Sequence, residues 1–180
     1  MYTASSRSTG LPPEQQHGIN RTRLENLSDT LNPIATAAAN LANTARTMKQ
    51  TAESSKSAGN KVLFDNNQRS ITTKELIASL KSAKDALKNL ASKSTSLARD
   101  VQHMAGHQEG LYGGNMRGIP LADKVNWCTR QVDKFVERGN KLGQRQLPDI
   151  RSAVSKIDQA SNFLPGGVGY QNRELVGNLE

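Results

Sequence analysis

The apolar residues of this chain recur at alternating three- and four-residue steps, and this spacing constrains the fold more than any other feature. The first such seam runs through Leu24, Leu27, Leu31, Ile34, Ala38, Leu41, Ala45, Met48 and Ala52. The second comprises Leu76, Leu80, Ala83, Leu87, Leu90, Ser94, Leu97, Val101 and Met104. Such steps place side chains on one face of an α-helix, at the a and d positions of a heptad. No long stretch alternates with the period of two that a strand requires, so the chain is predicted to be all-α.

Two shorter seams follow a glycine-rich stretch at residues 106–120, which predicts a loop. The third seam contains Leu121, Val125, Cys128, Val132, Phe135 and Leu142. The fourth contains Leu147, Ile150, Val154, Ile157 and Leu164. Gly143 and Pro148 predict a break between them, with helices at about 121–142 and 148–164.

The boundaries of the two long helices depend on local capping signals. Asn32-Pro33 indicates either a kink or a short helix at 20–31 followed by a main helix at about 33–57. Thr72 and Glu75 form a capping-box pattern that begins a helix at about 73–105. Four amphipathic helices predict an antiparallel four-helix bundle. An elongated hairpin of two helices with a smaller helical pair at one end, or a homo-oligomeric coiled coil, are the alternatives.

The length of 180 residues fits one domain, predicted at 20–164. Residues 1–19 predict a flexible polar leader, with five Ser and Thr among the first ten residues and no acid before Glu14. Residues 165–180 predict a flexible C-terminal tail after a Pro-Gly-Gly stop. No apolar run approaches the ~18 residues of a membrane span, and no apolar core of a classical secretory signal is present. The protein is therefore expected to be soluble.

The charge balance favours acidic partners. Lys and Arg number 24 against 16 Asp and Glu, a formal net charge of +8, which attracts phosphates, anionic lipid or an acidic protein face. The aromatic content of 4% leaves few stacking platforms for single-stranded nucleic acid. Lys74, Lys81, Lys88 and Lys84 form a stripe on the second helix, which fits a solvated face or a phosphate-binding track.

Residues that could carry catalysis are few. His103 and His107 have a spacing that can hold zinc, but the Glu of a zinc-protease motif is missing and no further Cys or His lies nearby. Cys128 occupies a seam position, which predicts a core residue instead of a nucleophile. No phosphate-binding loop, nucleophile elbow or dinucleotide fingerprint occurs. We expect no catalytic, cofactor-binding or metal site, and no enzymatic activity.

One turn combines apolar and basic residues. Three consecutive apolar residues follow Lys61, and in an antiparallel bundle this turn would lie at the same end as the connection near Gly143. A basic tip with an apolar wedge suits an anionic membrane surface or an acidic groove. Alternatively, the apolar residues plug the end of the bundle. The predicted site comprises Lys61, Val62, Leu63, Phe64, Arg69, Lys141 and Arg145.

The polar, acid-poor leader Met1–Asn20 ahead of a cysteine-poor helical domain resembles the layout of bacterial type III secretion substrates. This resemblance implies synthesis in the bacterial cytoplasm and export into a host cell. The basic, apolar-tipped bundle is similar to four-helix membrane-localisation modules of some toxins and effectors. The similarity implies that Val62, Leu63 and Phe64, with Lys61 and Arg69, bind anionic phospholipid.

These features predict a non-enzymatic helical interaction protein, an exported effector that binds a host or partner protein or an anionic membrane surface. The first alternative is a nucleic-acid-associated or phage or viral assembly protein, whose binding would weaken steeply with salt. The second is a secretion chaperone or regulator, which would form a stable complex with one protein and bind neither lipid nor DNA.

Overall fold

The helical prediction is confirmed by the computed structural model, which describes residues 10–56, 59–114, 118–164 and 171–179. In order along the chain, the described elements are α1 (Pro13–Lys56), β1 (Val62–Phe64), β2 (Ser70–Thr72), α2 (Thr73–Tyr112), α3 (Leu121–Ser161) and α4 (Gln171–Leu179). Three of these helices are long, and their packing fits a helical bundle. The two short strands form one antiparallel hairpin.

Helix α1 begins earlier than predicted. Pro13 occupies its first position, where a missing N–H is harmless, and the N–H of Gln16 donates to the carbonyl of Pro12 at 3.1 Å. The predicted flexible leader at 1–19 is therefore helical from Pro13 onward, and its residues 1–9 lie outside the described residues. The helix also continues through Pro33, so a separate helix starting at 33 is wrong.

The predicted break between 142 and 148 is wrong as well, because α3 is one continuous helix. Gly143 does not take the left-handed backbone conformation that would end a helix. Pro148 is exposed, whereas Ile150 is buried and Leu147 packs against the same core. Burial of these flanking residues offsets the one backbone hydrogen bond that a proline removes.

Helix α2 begins as predicted and ends later. The Thr72 hydroxyl accepts the N–H of Glu75 at 3.1 Å and donates to the Glu75 carboxylate at 3.0 Å, so the predicted N-cap is confirmed. The glycine-rich stretch expected to be a loop from residue 106 is helical as far as Tyr112. Gln108 and Leu111 are buried and extend the packed face beyond the predicted end at 105.

The predicted flexible tail at 165–180 contains helix α4. Leu175 and Leu179 are buried one turn apart, and Val176 packs against the same core. Burial of this apolar stripe explains why nine residues form a helix that would not persist alone. Residues 165–170 and residue 180 lie outside the described residues.

The chain divides into two compact units, and all three long helices contribute to both. Unit 1 comprises Met1–Pro33 and Ser94–Gly143, whereas unit 2 comprises Ile34–Lys93 and Gln144–Glu180. The apolar core of unit 1 contains Leu24, Leu31, Leu97, Ala98, Val101, Met104, Leu111, Cys128, Val132 and Val136. The largest buried side chains of unit 2 are Leu41, Leu76, Leu80, Leu87, Leu90, Ile150, Ile157 and Leu175.

Candidate functional site

The hairpin of unit 2 separates the three apolar residues of the predicted tip onto two faces. Leu63 pairs with Ile71, and both pack against the core of unit 2. Val62 and Phe64 lie on the opposite face, because successive side chains of a strand alternate. Their exposed fractions are 55% and 66%. Leu63 therefore matches the alternative of a plug, whereas Val62 and Phe64 project into solvent.

The turn between the strands is fixed by hydrogen bonds of its own residues. The Asp65 carboxylate accepts the N–H groups of Asn67 at 2.9 Å and Arg69 at 2.8 Å, and the Asp65 N–H donates to the Arg69 carbonyl at 3.0 Å. Gln68 takes a left-handed conformation with φ of 60°. These bonds hold the end of β1 in one conformation, so Phe64 is presented on an ordered backbone.

The base of the hairpin is tied to the first turn of α2. The Lys61 carbonyl accepts the N–H of Thr73 at 2.8 Å and its hydroxyl at 3.1 Å, and the Asn60 side chain accepts the N–H of Lys74 at 3.1 Å. Thr73 is itself buried. The hairpin is thus anchored at both ends, and its exposed apolar pair is preorganised.

The charges around the exposed pair are mixed. Lys61, Arg69 and Lys74 are exposed, and none of them forms an ion pair with any described residue. Asp65 in the turn and Glu75 at the N-cap contribute two carboxylates. Three cations against two carboxylates give this surface a net charge of only +1.

Two further members of the predicted site, Lys141 and Arg145, belong to different units. Lys141 belongs to unit 1, where its ammonium pairs with Glu137 at 2.9 Å. Arg145 belongs to unit 2, but its neighbour Gln146 accepts a hydrogen bond from Asn89 at 3.4 Å. Asn89 lies about 24 Å along α2 from the hairpin at 1.5 Å per residue. The prediction grouped both residues with the hairpin through a connection at Gly143, and that connection does not exist because α3 is continuous there.

Unit 1 contains a buried polar layer that the apolar pattern did not predict. The Gln16 amide donates to the Asn20 side chain at 3.0 Å, and Asn20 donates to the Thr129 hydroxyl at 3.0 Å. The guanidinium of Arg23 lies 2.8 Å from the carboxylate of Asp133, and both side chains are buried. These contacts join α1 to α3 within unit 1.

A second polar cluster of unit 1 joins α1 to the end of α2. The His17 ring stacks on Tyr112 with centroids 3.8 Å apart. Both oxygens of Glu109 accept hydrogen bonds from the Arg21 guanidinium, at 2.8 and 3.0 Å. These hydrogen bonds lower the pKa of Glu109 and raise the pKa of Arg21. The exposed, bidentate pair links α1 to α2 within unit 1.

The structure shows the surroundings of Cys128, His103 and His107, the residues considered for catalysis. Cys128 is buried in the core of unit 1, as predicted, and burial raises the pKa of its thiol to about 11. His103 and His107 are exposed. In the described ranges, no three His, Cys, Asp or Glu residues come together as metal ligands would. No helix within those ranges combines the length and apolarity of a membrane span.

The buried polar residues could have been found from the register of the first seam. Extending that seam backward from Leu24 by a step of four and then a step of three reaches Asn20 and His17, which are buried despite their polarity, as is the adjacent Gln16. Thr129 follows Cys128 on α3 and was not singled out. Asn20 and Thr129 lie on different helices, so the local sequence carries no sign of their pairing.

Comparison with known proteins gives no relative: no family model, no curated protein and no solved structure matches this chain.

Proposed function

We propose that this protein is a non-enzymatic interaction module that binds an extended segment of a partner protein along strand β1. The observation that carries the proposal is an ordered hairpin in which strand β1 presents exposed side chains and unpaired backbone groups together. The long helices, which we infer to run antiparallel in a bundle, serve as the scaffold. The type III resemblance supports a host protein as the partner and export as the route.

The register of the hairpin shows which way the N–H and C=O groups of β1 point. Asp65 and Arg69 form a hydrogen-bonded pair, and such pairs alternate with non-hydrogen-bonded pairs in an antiparallel ladder. Phe64 and Ser70 therefore form a non-hydrogen-bonded pair, as Val62 does with its own partner. The N–H and C=O groups of Val62 and Phe64 consequently point away from β2. A third strand can pair with these groups, as in strand addition to a sheet edge.

The backbone of β1 is open to a partner in the part of the chain that the structure describes. The sheet has only two strands, and no backbone hydrogen bond from another element reaches Val62 or Phe64. An edge strand with exposed apolar side chains and unpaired backbone groups invites pairing with another chain. The outward groups are the N–H and C=O of Val62 and of Phe64. Each hydrogen bond that one of these four groups forms with a partner contributes about 0.5–1.5 kcal/mol.

Magnitudes favour a protein partner over a membrane surface. Complete burial of a side chain such as Val62 or Phe64 contributes about 1.5–3 kcal/mol, and only the exposed part of each remains to be buried. A net charge of +1 adds about 1 kcal/mol at an anionic leaflet. The sum of about 4 kcal/mol corresponds to a dissociation constant near 1 mM. Lipid contact alone is therefore weak, whereas strand addition also supplies backbone hydrogen bonds and the partner's side chains.

The test begins with selection of peptides from a random display library on the immobilised full chain. Affinities of the selected peptides are then compared for the wild type and for two variants of one position. Phe64→Pro removes the outward N–H without removing a ladder hydrogen bond, and Phe64→Leu retains that N–H. We expect Phe64→Pro to weaken binding about tenfold or more and Phe64→Leu to weaken it less. Amide exchange at Val62 and Phe64 should slow in the complex.

Two outcomes would reject strand addition. One is that no peptide is selected, or that selected peptides bind Phe64→Pro as tightly as the wild type. The other is Phe64-dependent sedimentation with phosphatidylserine-containing vesicles, but not with pure phosphatidylcholine vesicles, in the absence of any peptide binding. The second outcome would instead support the membrane function that the sequence resemblance implies.

A further inference from the structure

A cleft of about 440 Å³ opens in unit 1 beside the first turns of α3. Its apolar wall is formed by Leu111 of α2, Ile119 and Trp127. Concave sites of this volume hold drug-sized ligands in proteins. Ile119 and Trp127 are exposed large hydrophobic residues, so the cleft presents apolar surface to solvent.

The indole of Trp127 gives the cleft a planar surface. Its contact with His107 is T-shaped, with ring centroids 5.5 Å apart and an interplanar angle of 71°. Within the described ranges no other ring packs on Trp127. Aromatic surfaces favour offset stacking with a second planar group. The cleft therefore suits a ligand with a flat apolar ring.

The polar lining of the cleft favours a negative charge on that ligand. Lys124 and Arg130 flank Trp127 on α3, and Asp123 is the acid among the lining residues. Neither Lys124 nor Arg130 pairs with an acidic residue in the described part of the chain. A guanidinium presents a fork of N–H donors that fits the oxygens of carboxylate, sulfonate or phosphate.

We propose that this cleft binds a small organic anion whose planar ring lies against Trp127 and whose acidic group is held by Lys124 and Arg130. The proposal combines a concave apolar wall with two cations that no described residue neutralises. It is independent of strand addition, because the hairpin belongs to unit 2 and the cleft to unit 1.

The chain itself supplies the reporter for this site, because Trp127 is its only tryptophan. The probe is 1-anilinonaphthalene-8-sulfonate, and its neutral analogue N-phenyl-1-naphthylamine is the matched control. We expect the sulfonate to quench Trp127 saturably, with sensitised probe emission. Lys124→Gln and Arg130→Gln should each weaken its affinity about tenfold through loss of a charge-assisted contact.

Asp123→Asn should change the affinity for the sulfonate in the opposite direction. Removal of this carboxylate should tighten binding of the sulfonate, because like charges repel, and should leave the neutral analogue unchanged. Lys134→Gln removes an exposed cation of α3 that does not line the cleft, and we expect it to change neither affinity. Each variant is first shown to melt like the wild type, since the probe also binds partly unfolded chains.

Three results would overturn the proposal. The first is the absence of saturable quenching of Trp127 by the sulfonate. The second is equal sulfonate affinity for the wild type, Lys124→Gln and Arg130→Gln. The third is weakening by Lys134→Gln as large as that by Arg130→Gln, which would indicate attraction to the general positive charge instead of a built site.

Discussion

The two units of this protein are built from the same three long helices, but their interiors differ in chemistry. In unit 2, the described buried residues are apolar apart from Thr73 and Gln146. Unit 1 buries a larger polar set, namely Gln16, His17, Asn20, Arg23, Ser94, Gln108, Thr129 and Asp133. Its polar contacts join α1 to α3 and α1 to α2.

This difference indicates that the two units contribute differently to the fold, one mainly to its stability and the other mainly to the alignment of its helices. An apolar seam contributes burial energy but tolerates sliding, because one leucine fits many neighbours. A buried polar group with its partner on another helix, such as Asn20 with Thr129 or Arg23 with Asp133, keeps that partner in only one alignment, so the contact penalises every other register. We infer that unit 2 supplies most of the driving force for folding, and that unit 1 fixes the register of the helices.

The strongest test of this contrast is a charge placed in the apolar unit. Leu87→Asp should lower the free energy of unfolding by more than about 4 kcal/mol, because no Lys or Arg is among the buried residues that the structure describes in unit 2. Urea unfolding followed by circular dichroism measures the change. Lys88→Asp, at the exposed neighbouring position, is the control and should change it by about 0.5 kcal/mol or less. Equal effects of the two variants would refute the placement of Leu87.

Loss of one charge from the polar unit should have a somewhat smaller effect. Asp133→Leu removes the carboxylate from the buried guanidinium of Arg23 and should destabilise the protein by about 3–5 kcal/mol. Because an apolar pair can replace a buried ion pair, Arg23→Met combined with Asp133→Leu should recover most of this loss. The measurement is a double-mutant cycle in urea. Additive losses in the double variant would show that the pair is not coupled.

Removal of a single hydroxyl group from the polar layer should have a smaller effect on stability. Thr129→Val keeps the shape of the side chain but removes the partner of Asn20, so it should cost about 1–2 kcal/mol. Thr47→Val is the matched control: both hydroxyls donate to the carbonyl four residues earlier, and Thr47 is exposed. Thermal melting of the two variants should differ. Identical melting temperatures would mean that the contact between α1 and α3 adds nothing to stability.

The smallest expected effect is the pH dependence of stability that Cys128 causes. It tests whether water is excluded from the core of unit 1. Burial raises the pKa of Cys128 from 9.0 to about 11, so the folded thiol stays protonated while the unfolded thiol ionises. The free energy of unfolding should therefore fall as the pH rises from 9 towards 11, by about 1 kcal/mol at pH 10, with no such change below pH 8.

The reference for this measurement is Cys128→Ala, which lacks the titrating group. Subtracting its pH profile from that of the wild type removes the contribution of lysines and tyrosines. If the difference stays constant between pH 9 and 11, the thiol ionises in the folded protein, and water reaches the core of unit 1.

The parts of the fold that the sequence predicted well are those specified by neighbouring residues. The seam from Leu76 to Met104 is buried as expected, including its one polar member, Ser94. The Thr72 cap was recognisable because its partner Glu75 lies three residues away. Periodicity and capping act within a few turns, so one helix suffices to reveal them.

Other parts could not be predicted because distant contacts determine them. The start of α1 is packed through Gln16 and Asn20, and Asn20 binds Thr129 on another helix. Pro33 and Pro148 are ordinary helix breakers in a local analysis, yet both are exposed within continuous helices whose buried faces remain intact. Tertiary burial overrides local preference at these positions.

The candidate sites were predicted only in part, for the same reason. Lys61, Val62 and Phe64 drew attention as an apolar and basic combination, and all three are exposed, but the outward orientation of Val62 and Phe64 depends on pairing with β2. Lys141 and Arg145 were added through a predicted break in α3 that the structure does not contain. The cleft at Trp127 has no local signature, since its wall includes a residue of α2.

Helix α4 has a consequence for the order in which the molecule is completed during synthesis. Leu175 and Leu179 lie further along the chain than every other member of the core of unit 2. A ribosome delivers residues in sequence order, so all segments of unit 1 have been polymerised before the apolar interior of unit 2 can close. During this interval the apolar side chains that Leu175 and Leu179 cover stay exposed on the growing chain, and exposed apolar surface of this kind is prone to aggregation.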